Sequence, residues 1–287
     1  MYVVLFHRYD RLGCNLINYI AQIIYAHHHG YYIKFIDNKY NYPKYPNSKY
    51  YQILLNYINV LNIKNDNQNC YHYGSDDEIL YNFNKYDIQY YCGYVTQSIK
   101  CDLLSYFHKH IYNDLDFKEL NEFYHNVSYD FDNSIFCHLR LDDVSHKTDY
   151  DGSICSRYYK LLIENDKQCY NKFYEYVNNH SPLSKEKINL MLDDAKSNYP
   201  NDKLYMVTSP LSDTDFKEYE IISNCDIDKD LFILCNSKKV ILSRSMYALS
   251  SLFFSHPKEY CYAPSWGFFV TCGLNTKYDK NSLKYIY

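Results

Sequence analysis

The sequence predicts an α/β protein built of two Rossmann-like halves that face a cleft. Two observations lead there. The first 36 residues contain a complete strand–helix–strand unit, Tyr2–Phe6, Asn15–His29 and Tyr31–Ile36, the start of a parallel sheet. A second α/β series opens at Ser134, after the Asp-rich stretch 128–133. The boundary is therefore expected near residue 130, giving domains 1–130 and 131–287, and 287 residues suffice for both.

Each element has a local reason. Tyr2–Phe6 is a short apolar run, a buried strand. The helix from Asn15 to His29 carries Leu16, Ile17, Ile20, Ile23, Ile24 and Ala26 as a core-facing stripe, and Gly30 supplies its stop. Residues 38–48 are rich in Pro, Asn and Lys and read as loop. A helix over 50–61, a polar stretch over 64–69, a short strand over Gln89–Cys92, and helices over 97–112 and 116–125 complete the first half. In the second half, Ile135–Arg140 is a strand running out of the core into polar residues. Helices are expected over 156–164 and 184–197, and strands over 204–207, 240–242 and 260–262. A helix over 245–254 lies between the last two strands.

Composition excludes several classes. Hydrophobic residues at 47% and charged ones at 22% describe a globular chain. A net charge of −4 with scattered Lys and Arg gives no nucleic-acid footprint. The 38 tyrosines accompany abundant Asn, Lys and Ile, as in an AT-rich gene. Eleven cysteines without a CxxC fit neither a zinc ribbon nor a thioredoxin motif. Cys137 and Cys261 lie in apolar runs and read as reduced, buried thiols. The N-terminus lacks the charged lead of a signal peptide, and no apolar run reaches membrane-spanning length. The expectation is a soluble, cytoplasmic protein with no membrane span.

Seven glycines form neither GxGxxG nor a P-loop, so a nucleotide would be held by side chains and helix N-termini. HExxH is absent, and His27-His28-His29 point in different directions on a helix. DxD occurs six times in an Asp-rich chain, which makes each copy uninformative. No metal ligand and no bound cofactor is predicted.

Three segments carry chemistry. In the first, Arg11-Leu12-Gly13-Cys14-Asn15, a Gly in a strand-to-helix turn precedes amide side chains at the sheet's C-terminal edge. In the second, His138-Leu139-Arg140-Leu141-Asp142-Asp143, alternation places His138 and Arg140 on one face at a strand end. The planar fork of Arg140 suits a diphosphate and would stabilise charge on a departing phosphate. His138 would orient a phosphate or help with an acceptor proton. In the third, the Asp230–Cys235 run precedes a strand ending in Ser243-Arg244-Ser245, and a helix begins at once. Ser243 or Ser245 caps that helix and joins its N–H groups in an anion site. Taken singly, a capped helix or an Arg–Asp pair at a strand end would look the same.

Together the segments resemble the alpha-1,2-fucosyltransferases and the wider fucosyltransferase-like superfamily. The opening G-R-L-G-N-Q-x-F-Q-Y-A stretch of that family is matched at Arg11, Leu12, Gly13 and Tyr19, and its H-x-R-R-G-D motif at His138, Arg140 and Asp143. The late motif is matched at Asp230, Leu231, Cys235, Ile241 and Ser245, in the right order. Tyr158-Tyr159-Lys160 stands where the family has a Tyr pair. The resemblance implies a GT-B-like fold and inverting, metal-independent transfer of a sugar from a nucleotide-sugar cosubstrate, usually GDP-fucose, to a glycan hydroxyl. It also implies His138, Arg140 and Asp143 as catalytic and Gly13, Asn15, Asp230, Ser243 and Ser245 as donor-binding. A soluble chain is more like the microbial and viral members than the membrane-anchored animal ones.

The departures are specific. Cys14 and Asn15 replace Asn and Gln, and Leu141 replaces the second Arg. Thr208-Ser209-Pro210 stands where the family often has S-D-D, Arg244 replaces a Ser, and Ala248-Leu249 replaces a Trp pair. They leave open a different nucleotide-sugar donor and a catalytically inactive relative that binds glycans or scaffolds a partner. A metal-dependent transferase of another fold, using a DxD pair, is the third alternative.

Overall fold

The computed structural model describes residues 2–5, 12–35, 47–66, 88–140, 183, 185–208, 216–264 and 283–286. It is a mixed α/β protein whose strands all pair in parallel. The contacts divide the chain into two compact units, one ending at Asn126 and holding Leu252–Phe254 as well, the other formed mainly by Val127–Ser251.

The first unit opens with β1 (Tyr2–Leu5), α1 (Leu12–His29) and β2 (Tyr32–Phe35), and β1 pairs with β2 in register Val3 to Ile33. The α1 stripe is buried from Leu16 to Ala26. Gly30 adopts φ 67°, which lets its N–H reach the His27 carbonyl while Tyr31 N–H reaches that of Ala26 at 2.9 Å, a closed C-terminal cap. Helix α2 (Lys49–Asp66) takes in residues 64–66 of the stretch read as polar, the rest of which lies outside the described residues. Its Asn62 side chain bonds both the N–H (2.6 Å) and the carbonyl (2.8 Å) of Ile33.

Residues 89–92 are helical, not a strand. They lie in α3 (Ile88–Ile99), whose Cys92, Val95 and Ile99 are buried at helical spacing. The single helix expected over 97–112 is divided. Lys100 has φ 52°, and Asp102 then caps α4 (Leu103–His110) by accepting from Ser105 N–H at 2.6 Å. A 3-10 turn over Tyr112–Asp114 and the short α5 (Lys118–Phe123) follow. Phe107 packs edge-on to Phe253, and His108 bonds the Leu252 carbonyl at 2.8 Å.

The second unit contains β3 (Ser134–His138), α6 (Lys185–Asn198), β4 (Lys203–Val207) and β5 (Glu220–Ile222), then α7 (Ile227–Asn236), β6 (Lys239–Ile241), α8 (Met246–Phe253, whose Leu252 and Phe253 count with the first unit), β7 (Tyr260–Pro264) and β8 (Leu283–Ile286). Its six-stranded sheet has the order β5-β4-β3-β6-β7-β8. Counted from β3 as the first strand, this is 3-2-1-4-5-6, the doubly wound order. Alternation along β3 separates two cores. Ile135, Cys137 and Leu139 pack with Ile188, Met191 and Leu192 of α6, while Phe136 packs with Tyr205 and with Ile233 and Leu234 of α7. Helices thus cover both faces, which is why β3 is buried at every position. The helix expected over 156–164 lies outside the described residues.

Candidate functional site

In a doubly wound sheet the crevice opens at the carboxyl ends of the strands, where the strand order reverses. Here the reversal falls between β3 and β6, which are neighbours although more than 100 residues apart in sequence. His138 ends β3 and Arg140 follows it; Ser243, Arg244 and Ser245 follow β6. The topology therefore gathers His138, Arg140, Ser243 and Ser245 at one point.

The contacts there are close. His138 Nδ1 and Ser243 Oγ are 2.6 Å apart, both residues buried. Arg140 Nη1 donates to the Arg244 carbonyl at 2.9 Å, joining the two loops. Ser245 is the cap of α8: its Oγ accepts from Ala248 N–H at 3.5 Å and its carbonyl from Leu249 N–H at 2.9 Å. A small cavity of ≈ 10 Å³, lined by His138, Arg140 and Ser243 and by Leu139, Leu183 and Met191, has room for about one water molecule.

Burial, and then the neighbouring Arg140, push the His138 imidazole down to about 3, so it is neutral at physiological pH. A Ser–His pair at this distance invites comparison with a nucleophilic dyad. The comparison fails on charge: proton transfer from Ser243 would create an imidazolium in a buried site beside a guanidinium. The pair instead fixes the ring's orientation. When Ser243 donates to Nδ1, Nε2 carries the N–H and is a hydrogen-bond donor.

Two residues not singled out in sequence complete the surroundings. The Tyr247 ring lies 5.6 Å from that of His138, and its hydroxyl donates to the Ile227 carbonyl at 2.5 Å, linking α8 to the start of α7. Asn224 Nδ2 donates to Asp230 Oδ1 at 2.5 Å. Burial raises the Asp230 carboxyl to about 7, against the opposing pull of the Asn224 hydrogen bond. Thr208, at the end of β4, is 3% exposed, and its hydroxyl has no hydrogen-bond partner among the described residues. Arg244, read in sequence only as a departure from a motif, sits in the β6–α8 turn itself. Its position immediately before a Ser cap was the available signal.

Gly13 and Asn15 lie in the first unit. Gly13 is inside α1, which begins at Leu12, so it belongs to a helical turn and not to the strand-to-helix turn expected of it. Asn15 is 2% exposed. Asp143 lies outside the described residues, as do Leu141 and Tyr158-Tyr159-Lys160. His27 bonds the Tyr106 hydroxyl and His29 the Ser98 hydroxyl, both at 2.9 Å. Among the described residues no group of three or more His, Cys, Asp or Glu side chains is placed to hold a metal ion. No described helix is long and apolar enough to cross a membrane.

The second unit is thus an α/β sheet of doubly wound order with a polar, cationic switch point. No family model matches the chain, and neither a curated protein nor a solved structure similar to it is found.

Proposed function

We propose that the switch point of the second unit binds the diphosphate of a nucleotide sugar and that the protein is a glycosyltransferase of the fucosyltransferase-like kind. The observation that carries this reading is the convergence of Arg140, His138 and Ser243 with the capped start of α8 where the strand order reverses. An arginine fork and free helix N–H groups are a phosphate-binding chemistry. The motif resemblance supplies the sugar-transfer part, the GT-B-like pairing of two domains, and GDP-fucose as the first donor to test. Gly13, Asn15 and Asp143 belong to the proposal through those motifs alone.

In the proposed reaction an acceptor hydroxyl oxygen attacks the anomeric carbon from the face opposite the phosphate. The new C–O bond forms as the bond to the phosphate oxygen breaks, the nucleoside diphosphate leaves with that electron pair, and the proton of the acceptor hydroxyl passes to water. Arg140 stabilises the charge growing on the leaving oxygen. His138, neutral and held by Ser243, donates a hydrogen bond to a phosphate oxygen; a ring held near 3 is too weak a base for the acceptor proton.

The test is thermal stabilisation by GDP, UDP and their sugar conjugates, with and without EDTA. A ligand at 100 times its Kd adds about 2.7 kcal/mol, a shift of several degrees. Stabilisation by GDP that ignores EDTA, lost in Arg140→Ala with its ligand-free Tm within about 2 °C of the parent, is the expected result. Unchanged GDP binding in that variant overturns the role of Arg140. UDP binding that requires metal overturns the metal-independent reading.

A further inference from the structure

We infer that the small cavity between β3, β6 and α6 is the specificity pocket for the donor sugar, and that it takes an apolar group of methyl size, the C6 methyl of a 6-deoxyhexose. The inference deepens the proposed function and rests on its phosphate-binding part.

The topology puts the cavity where such a group would arrive. β3 and β4 run parallel, so α6 between them returns in the opposite sense and its first turns stand at the carboxyl edge of the sheet. Ile188 and Met191, one turn apart, and Leu183 just before the helix close the cavity from that side. Leu139 and Leu242 close it from the strand ends, next to His138 and Ser243. Among the described lining residues all are buried except Arg140, which is partly exposed, so the cavity opens beside Arg140. A group entering there belongs to the part of the ligand attached to the phosphate.

The lining selects the occupant. Seven of the ten described lining residues are Cys, Leu, Ile or Met, so the cavity suits an apolar group better than a water, which takes roughly three hydrogen bonds. Two of its polar side chains are turned to each other, with His138 Nδ1 and Ser243 Oγ 2.6 Å apart. At ≈ 10 Å³ it has room for one small group, a methyl and not a hydroxymethyl. Guanine, ribose and phosphate carry no methyl. A hexose beside the diphosphate carries one when its C6 lacks the hydroxyl. The ligand class is therefore a nucleoside diphosphate 6-deoxyhexose, with Leu183, Ile188 and Met191 reading the methyl.

Isothermal titration of the full chain with GDP, GDP-fucose and GDP-L-galactose tests this, since the two sugar nucleotides differ only in the C6 hydroxyl. The parent should bind GDP-fucose roughly tenfold or more tighter than GDP-L-galactose, as a close-fitting apolar pocket does for one group of this size. Leu183→Ala widens the cavity and should bring the two affinities together. Leu183→Phe fills it and should weaken GDP-fucose about tenfold while GDP binds as in the parent. GDP affinity in each variant reports that the phosphate site is intact. Equal parental affinities for the two sugar nucleotides overturn the inference and leave the phosphate site standing, whatever the variants do. Variants that keep both GDP binding and the parental preference overturn it as well. A parent that prefers dTDP to dUDP gives the cavity to the methyl of a base, which also overturns it. A parent that does not bind GDP overturns the proposed function and this inference together.

Discussion

The two edges of the second unit's sheet use their polar and charged groups in different ways. At the N-terminal edge each lysine meets a formed partner. Lys239, with its side chain 5% exposed, lies against the Asp202 carboxylate and the Asp132 carbonyl, both at 2.5 Å. Lys203 pairs with Glu220 and Lys238 with Asp132. Lys258 is buried and gives its three protons to the carbonyls of Leu234, Cys235 and Ser237, closing the C-terminal end of α7. At the C-terminal edge Arg140 reaches the carbonyl of Arg244 and His138 the hydroxyl of Ser243, ties between neighbouring loops. One edge is closed by complementary pairs. The other gathers the side chains proposed above to hold a phosphate.

Substitutions at the two edges should separate these uses. The largest loss of stability is expected for Lys239→Met, which leaves the Asp202 carboxylate unpaired at 12% exposure. Stranding one partner of a buried pair costs about 3–5 kcal/mol, or a fall in Tm of roughly 10 °C, readable by calorimetry. Lys258→Met should follow at about 2–3 kcal/mol, since three carbonyls lose their donor together. A Tm change under about 2 °C in either variant would remove the distinction between the edges.

The smallest effect is one of pH. The Asp230 carboxyl titrates near 7 in the fold and near 3.9 when unfolded. Its contribution to stability is therefore complete below about pH 4 and is lost as pH rises through 7. Tm should fall between pH 6 and 8, and Asp230→Asn, permanently neutral, should flatten that fall. His138 works in the other direction. Its folded value is depressed to about 3, so its contribution is complete above about 6.5 and is lost as acid is added. A parent profile between pH 6 and 8 that Asp230→Asn leaves unchanged would rule out this role for Asp230.

Elements with a strong local period were legible before the fold was known. The α1 stripe from Leu16 to Ala26, the β3 run from Ile135 and the strand–Ser–helix sequence around Ser243 and Ser245 fall where pattern and capping put them. Residues 89–92 show the limit of a short window. Tyr90-Tyr91-Cys92 has strand-like chemistry, whereas the helical repeat emerges only with Val95 and Ile99 included. Three-residue β5 offered too little sequence to read, with Ile222 its one buried position. The break at Lys100 was hidden because the helix stops in a left-handed non-glycine residue, a conformation no composition signal marks.

The sequence by itself determined where β3, α6, β4, β6, α8 and β7 of the second unit lie, because burial period and helix capping act over a few neighbouring positions; α7, β5 and β8 were not read from it. It also singled out His138, Arg140, Ser243 and Ser245 as polar groups at element ends. Only the tertiary structure decided that β3 and β6 are adjacent, that Ser243 holds the His138 ring, and that the Arg140 side chain reaches the Arg244 carbonyl. Those facts depend on strand order, which is set by the packing of both sheet faces against α6 and α7 and has no counterpart in local sequence.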